Sequence, residues 1–209
     1  MKGISYVMSL LDSEKKYWEC LSNQHKQLVN LYDEIKSNVC ISMESNDITK
    51  AILLRMKAYY ETQNEIKKFL NKRYLTAGSD FFVETVVFYL KLFFDKSRID
   101  FEVHSERRIR PQRGIIRPDI SIWKYDEVIG IIECKTQLGW NDRWDEDFKE
   151  RESKLKDDFP NAKAFLVIGW PPGFSLDDGR IGNQLFTLSS KYPGRITEED
   201  IDKVIINPI

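Results

Sequence analysis

The chain has 209 residues, 32 Lys and Arg against 33 Asp and Glu, a formal net charge of −1 and 42% hydrophobic residues, which is enough for one sizeable core with an appendage and no low-complexity linker or internal repeat. Two histidines, His25 and His104, and three cysteines, Cys20, Cys40 and Cys134, have no zinc-like spacing and leave histidine-based or zinc hydrolysis without ligands; no glycine-rich phosphate loop is present to support ATP-driven chemistry. The odd cysteine count suits a reducing cytoplasm, and Ile4 to Leu11 is too short and interrupted to span a membrane, so neither a membrane segment nor a signal peptide is expected.

Residues 1–75 contain no proline and no glycine after Gly3. Trp18, Leu21, Leu28, Leu31, Ile35 and Val39 follow steps of three, four or seven, which predicts one long helix to about Cys40. A break at Ser42 to Asp47 precedes a second helix to about Tyr74. The expectation is an antiparallel helical hairpin or arm over 1–75. A packing layer, a homodimer interface and a DNA-reading arm are its three readings, with packing or dimerisation favoured over the last.

Ser79 or Asp80 can cap a helix running to about Phe94. Of the fourteen residues from Phe81 to Phe94, only Glu84, Thr85 and Lys91 are not apolar, which predicts a helix buried nearly all round. Glu84 then either needs a partner in the core or is a helix-start glutamate exposed beside Lys91. Ile99 to Ile109 reads as a strand. It leads into Arg107, Arg108, Arg110, Arg113 and Arg117, five arginines in eleven residues with no acid among them. In a chain of net charge −1, that density is expected to contact a phosphate backbone, since guanidinium binds phosphate oxygens bidentately.

Asp119 to Trp123 alternates and is rich in β-branched and aromatic residues, and Val128 to Cys134 is a short apolar run. The polar stretch Lys124-Tyr125-Asp126-Glu127 between them makes the two an antiparallel hairpin. A turn centred on Asp126 gives paired residue numbers that sum to 252 and sets Asp119 across from Glu133. Lys135 shares that face, because strand side chains repeat every second residue. A bulge, or a turn shifted by one residue, would break this pairing.

Trp140, Trp144, Phe148, Leu155 and Phe159 recur at steps of four, four, seven and four, one stripe of a helix whose other face is charged and solvated. Ala164 to Trp170 reads as a strand covered on both faces, ended by Pro171-Pro172-Gly173. Asn183 to Lys191 is expected to be helical, Thr197 to Asp200 reads as a capping box, and Val204 to Ile206 as a last edge strand.

Two carboxylates and an amine converging on one point can hold a hard divalent cation and activate water beside it. Pro118-Asp119, thirteen intervening residues and Glu133-Cys134-Lys135 resemble the PD-(D/E)xK nuclease superfamily over about residues 79–170. The resemblance implies an α/β, restriction-endonuclease-like core, a mixed sheet flanked by helices, over 76–209. It also implies that Asp119 and Glu133 bind Mg²⁺, with Mn²⁺ as a substitute, and that Lys135 orients or activates the attacking water. The backbone carbonyl of Cys134 becomes a further ligand. Many members carry an extra glutamate on the first core helix, a place that falls to Glu84. The expected activity is DNA endonuclease cleavage of the restriction type. A catalytically silent DNA- or protein-binding module and a structure-selective repair, recombination or mobile-element nuclease are the alternatives.

Overall fold

The computed structural model describes residues 9–109, 117–138, 143–171 and 179–202. The described residues form a mixed α/β structure with five α-helices, one short 3-10 turn and a five-stranded mixed sheet. They divide into two compact units, Met1–Ile41 and Ser42–Ile209.

In the first unit, α1 runs from Leu10 to Ser37 and none of its residues is buried. Ser9 and Asp12 close a reciprocal capping box, in which the Asp12 amide donates to Ser9 Oγ at 3.2 Å and the Ser9 amide to Asp12 Oδ2 at 3.3 Å. Of the apolar stripe read from the sequence, Trp18, Leu21, Leu31 and Val39 are exposed, and Leu28 and Ile35 are half-buried.

The second unit opens with α2, Ser45–Phe69, which buries Thr49, Ile52, Leu53, Met56 and Tyr60, one face at helical spacing. This helix packs on α3, Ser79–Ser97, on the 3-10 turn Pro193–Arg195 and on α5, Glu198–Asp202. The Arg55 guanidinium lies 4.2 Å from the Phe88 ring centre and 5.0 Å from that of Tyr89. α2 is thus a packing layer of the second unit. Its buried residues supply the reason, since they match apolar partners on α3 and the C-terminal segment.

Helix α3, Ser79–Ser97, starts from Gly78 without a side-chain cap, where the sequence offered Ser79 or Asp80 for that role. It buries Phe82, Thr85, Val86, Phe88, Tyr89, Leu92 and Phe94. Asp80, Glu84, Lys91 and Asp95 form a narrow exposed stripe at steps of four, seven and four, so the helix is buried on most of its circumference and not all round.

The sheet order is β1 (Glu102–Ser105), β2 (Ile120–Lys124), β3 (Glu127–Gln137), β4 (Lys163–Trp170) and β5 (Leu185–Thr187). β1, β2 and β3 pair antiparallel, whereas β3, β4 and β5 pair parallel. Helix α4, Arg143–Asp158, makes the crossover from β3 to β4. It buries Phe148 and Leu155 against Ile131, Val128, Leu166 and Ile168 on one face of the sheet. α3 contacts β1 and β3, and on β3 Ile132 and Cys134 are buried. β5 corrects the helix expected over Asn183 to Lys191. Leu185 is fully buried and pairs with Leu166, and that edge position overrides local propensity. The strand expected over Ile99 to Ile109 is shorter, and the capping box at Thr197 forms, with the Asp200 amide 3.1 Å from Thr197 Oγ1. Trp140 and the strand expected at Val204 to Ile206 lie outside the described residues.

Packing between β3 and β4 leaves no room at Gly169, where a Cβ would stand 2.8 Å from the Thr136 carbonyl oxygen. Gly169→Ala is predicted to lower unfolding free energy by about 1–3 kcal/mol, read by urea denaturation. Gly179→Ala, with nothing within 4 Å of the added methyl, is predicted to stay within roughly 0.5 kcal/mol of the parent.

Candidate functional site

The site is built by the β2–β3 hairpin. Its turn is two residues, Tyr125 and Asp126, with Lys124 opposite Glu127 and Tyr125 at a left-handed φ of 55°. Near the turn the pairs therefore sum to 251. Ile129 is then an extra residue on β3, because Ile122 pairs with Gly130 and Trp123 with Val128. Beyond this bulge Ile122, Ser121 and Ile120 face Gly130, Ile131 and Ile132, and the sum is 252. Turn and bulge each depart by one step from a simple hairpin, and the two departures cancel at the end that matters.

Asp119 stands one residue before Ile120, just outside the ladder. The Cys134 backbone amide donates to Asp119 Oδ2 at 2.7 Å. This charge-assisted bond fixes one carboxylate oxygen and leaves Oδ1 for another partner. Glu133 is only 3% exposed, on the α4 side of the sheet with Ile131. Burial raises its proton affinity first, and the nearby Asp119 charge raises it further, while Arg151 and Lys135 oppose both. Lys135 Nζ stands 3.9 Å from Glu133 Oε2, and its side chain is partly exposed. Asp119, Glu133 and Lys135 are thus brought to one face of one strand pair. The Cys134 side chain is buried on the other face, where burial pushes its thiol well up, so its role there is apolar packing.

The structure adds Arg151, which sequence reasoning missed. Its Nη1 donates to Glu133 Oε1 at 2.5 Å. Arg151 sits three residues after Phe148, inside the seven-residue gap of the apolar stripe before Leu155. That gap was the available signal, since a residue there must face the sheet. Between α4 and the sheet lies a cavity of about 210 Å³, lined in part by Glu133, Lys135, Arg143, Trp144, Asp147 and Arg151.

Glu84 is exposed on α3, and among the described residues no group of three or more His, Cys, Asp or Glu side chains gathers as a cation site. The expected third carboxylate is therefore not added to Asp119 and Glu133. Glu84 lies on the solvent stripe beside Lys91, the other of its two readings. The arginine segment is divided. Arg107 stacks 3.9 Å from the Trp123 ring centre, bonds His104 Nε2 at 2.8 Å and lies 3.8 Å from Glu102. Arg117 pairs with the Glu106 carboxylate and also donates to its carbonyl oxygen at 3.3 Å. The segment holds no acid of its own, but Glu102 and Glu106 stand directly ahead of it and engage both of its ends. Arg108 is exposed; Arg110 and Arg113 lie outside the described residues.

The donor set fits a hard divalent cation. Two carboxylates lie close enough for the Asp119 charge to oppose the ionisation of Glu133, and every donor available there is oxygen. A cation bound there neutralises the mutual repulsion that burial makes expensive.

No family model matches the chain, and no curated protein matches it. One solved structure, the native BbvCI A2B2 tetramer, is similar at 12% identity over 87% of this chain and 82% of that one, with a TM-score of 0.24. A likeness of that size carries no argument about fold or function. Among the described residues no helix is long and apolar enough to cross a membrane.

Glu133 has a raised folded pKa, so its stabilising contribution is full below the unfolded value near 4.5 and is lost as pH rises through the folded value. In EDTA at neutral pH, Glu133→Gln is predicted to raise the thermal midpoint. The gain should shrink as the pH falls to 4 and below. A fall in the midpoint at neutral pH would mean that Arg151 more than offsets the burial of this carboxylate.

Proposed function

We propose that this protein is a Mg²⁺-dependent DNA nuclease with a restriction-endonuclease-like core of the PD-(D/E)xK kind, acting as an endonuclease. The observation that carries the reading is the hairpin register. It places Asp119 on the Cys134 amide beside the buried Glu133, with Lys135 two residues on and on the same face. A buried carboxylate with a half-buried second one beside it costs stability, and a phosphodiesterase is the chemistry that uses such a pair with a neighbouring amine.

Asp119 Oδ1, Glu133 Oε2 and the Cys134 carbonyl would hold the cation, with Mn²⁺ able to replace Mg²⁺. The bound ion supplies charge neutralisation at the phosphate and a water of lowered pKa. Lys135, partly open to solvent and beside Glu133, would position the attacking water for in-line attack. Arg143, at the cavity wall, offers guanidinium donors to non-bridging phosphate oxygens. Arg108, Arg110 and Arg113 are left to the flanking backbone, because Arg107 and Arg117 are already engaged by acids.

A binding module without turnover is the second reading, and the Arg151–Glu133 ion pair favours it, because it closes one carboxylate. The assay that separates the two is cleavage of plasmid and branched DNA with Mg²⁺ and with EDTA. The nuclease reading requires products with Mg²⁺ and none with EDTA; cleavage undiminished in EDTA would refute it. Preference for branched over plasmid substrate would assign a structure-selective role. Lys135→Ala and Asp119→Asn are each predicted to slow single-turnover cleavage by about 10²-fold or more. Lys135→Ala should leave DNA affinity within about twofold, since the amine serves water rather than the backbone. Arg110→Ala with Arg113→Ala is predicted to flatten the log–log salt dependence of DNA binding by about one to two, with cleavage of the saturated complex unchanged.

A further inference from the structure

The Arg151–Glu133 pair poses a problem for the site just described. A guanidinium 2.5 Å from Glu133 Oε1 puts a unit positive charge where a divalent cation must approach. Charges of one sign at such range, next to a buried carboxylate, repel strongly because little water screens them. Cation entry therefore requires either that Arg151 leaves or that the cation binds against its repulsion.

The helix offers a place for Arg151 to go. Asp147 lies four residues before it, one turn earlier on α4, and lines the same cavity. An acid four residues ahead of an arginine is a favourable helical pair. Among the described residues Asp147 forms no ion pair, while the neighbouring Asp145 is taken by Lys149 at 2.7 Å and Arg180 at 2.6 Å. The cavity of about 210 Å³ leaves space for the guanidinium to turn, and the Arg151 side chain is already 40% exposed.

We propose that Arg151 is a two-position counter-cation. It pairs with Glu133 in the cation-free protein and turns to Asp147 when a divalent cation occupies Asp119 and Glu133. This rests on the reading of those two acids as cation ligands. Arg151 is then a positioning residue that holds the buried carboxylate in place until the cation arrives. Asp147 sets how readily it lets go.

The test is Mn²⁺ affinity without DNA, measured from the free-ion signal in electron paramagnetic resonance. Arg151→Gln should tighten binding by about tenfold, because the competing charge is gone. Asp147→Asn should weaken it severalfold, because the alternative partner is gone, and should have no further effect in an Arg151→Gln background. Asp119→Asn should abolish binding in every background. If Arg151→Gln binds Mn²⁺ no more tightly than the parent while Asp119→Asn still abolishes binding, the two-position role is wrong and the cation site stands. If Asp147→Asn weakens binding equally in both backgrounds, Asp147 acts by bulk charge and the second position is wrong. If Asp119→Asn leaves affinity unchanged, the cation reading itself fails. Should Arg151→Gln not fold, the parent protein decides: the arginine side-chain NMR resonance that is lost in Arg151→Lys should shift on Mg²⁺ saturation, and an unmoved resonance overturns the proposal.

Discussion

One hydrogen bond holds the proposed site together: the Cys134 amide to the Asp119 carboxylate, at 2.7 Å. It forms only if β2 and β3 meet in the register that sets Ile120 against Ile132. That register is enforced far from the chemistry. Ile120 and Ile131 are fully buried on opposite faces of the sheet, so a slip by one residue would turn the apolar set of either strand to the wrong side. The core that fixes the strands thereby aims the acids. α4 closes the arrangement from one side through Phe148 and Leu155, and the same helix carries Arg151 to Glu133.

The hairpin was legible because two local signals agree there. Alternation defined the strands, and the polar stretch between them placed the turn to within one residue. The bulge at Ile129 was not legible, since it depends on how Trp123 and Val128 fit against Ile131 under α4. Arg151 was half legible. Its stripe gap could be read, but nothing local says that a guanidinium in that gap meets a strand residue eighteen positions away. Glu84 has two readings in the sequence because fourteen mostly apolar residues look buried all round. The exposed stripe through Asp80, Glu84, Lys91 and Asp95 emerges only when residues outside that window are placed on the same helix.

Tertiary contacts account for the remaining differences. Residues 183–191 have no strong local preference, and Leu185 becomes a strand residue because β4 offers an edge. The second helix looked like half of an arm since its periodicity says only that one face is apolar. Its partners, α3 and the segment after Tyr192, lie too far along the chain for pattern alone to find. The arginines show the same limit in charge. Counting bases between 107 and 117 leaves out Glu102, 3.8 Å from Arg107, and Glu106, which pairs with Arg117.

The central claim is that Asp119 and Glu133 form a divalent-cation site at the end of β3. Anomalous X-ray scattering from crystals grown with Mn²⁺ tests it most directly. The account predicts a peak within coordination distance of Asp119, Glu133 and the Cys134 carbonyl, with Arg151 turned toward Asp147. Fully ordered Asp119 and Glu133 side chains with no Mn²⁺ peak between them at saturating ion, and Arg151 still on Glu133, would contradict it.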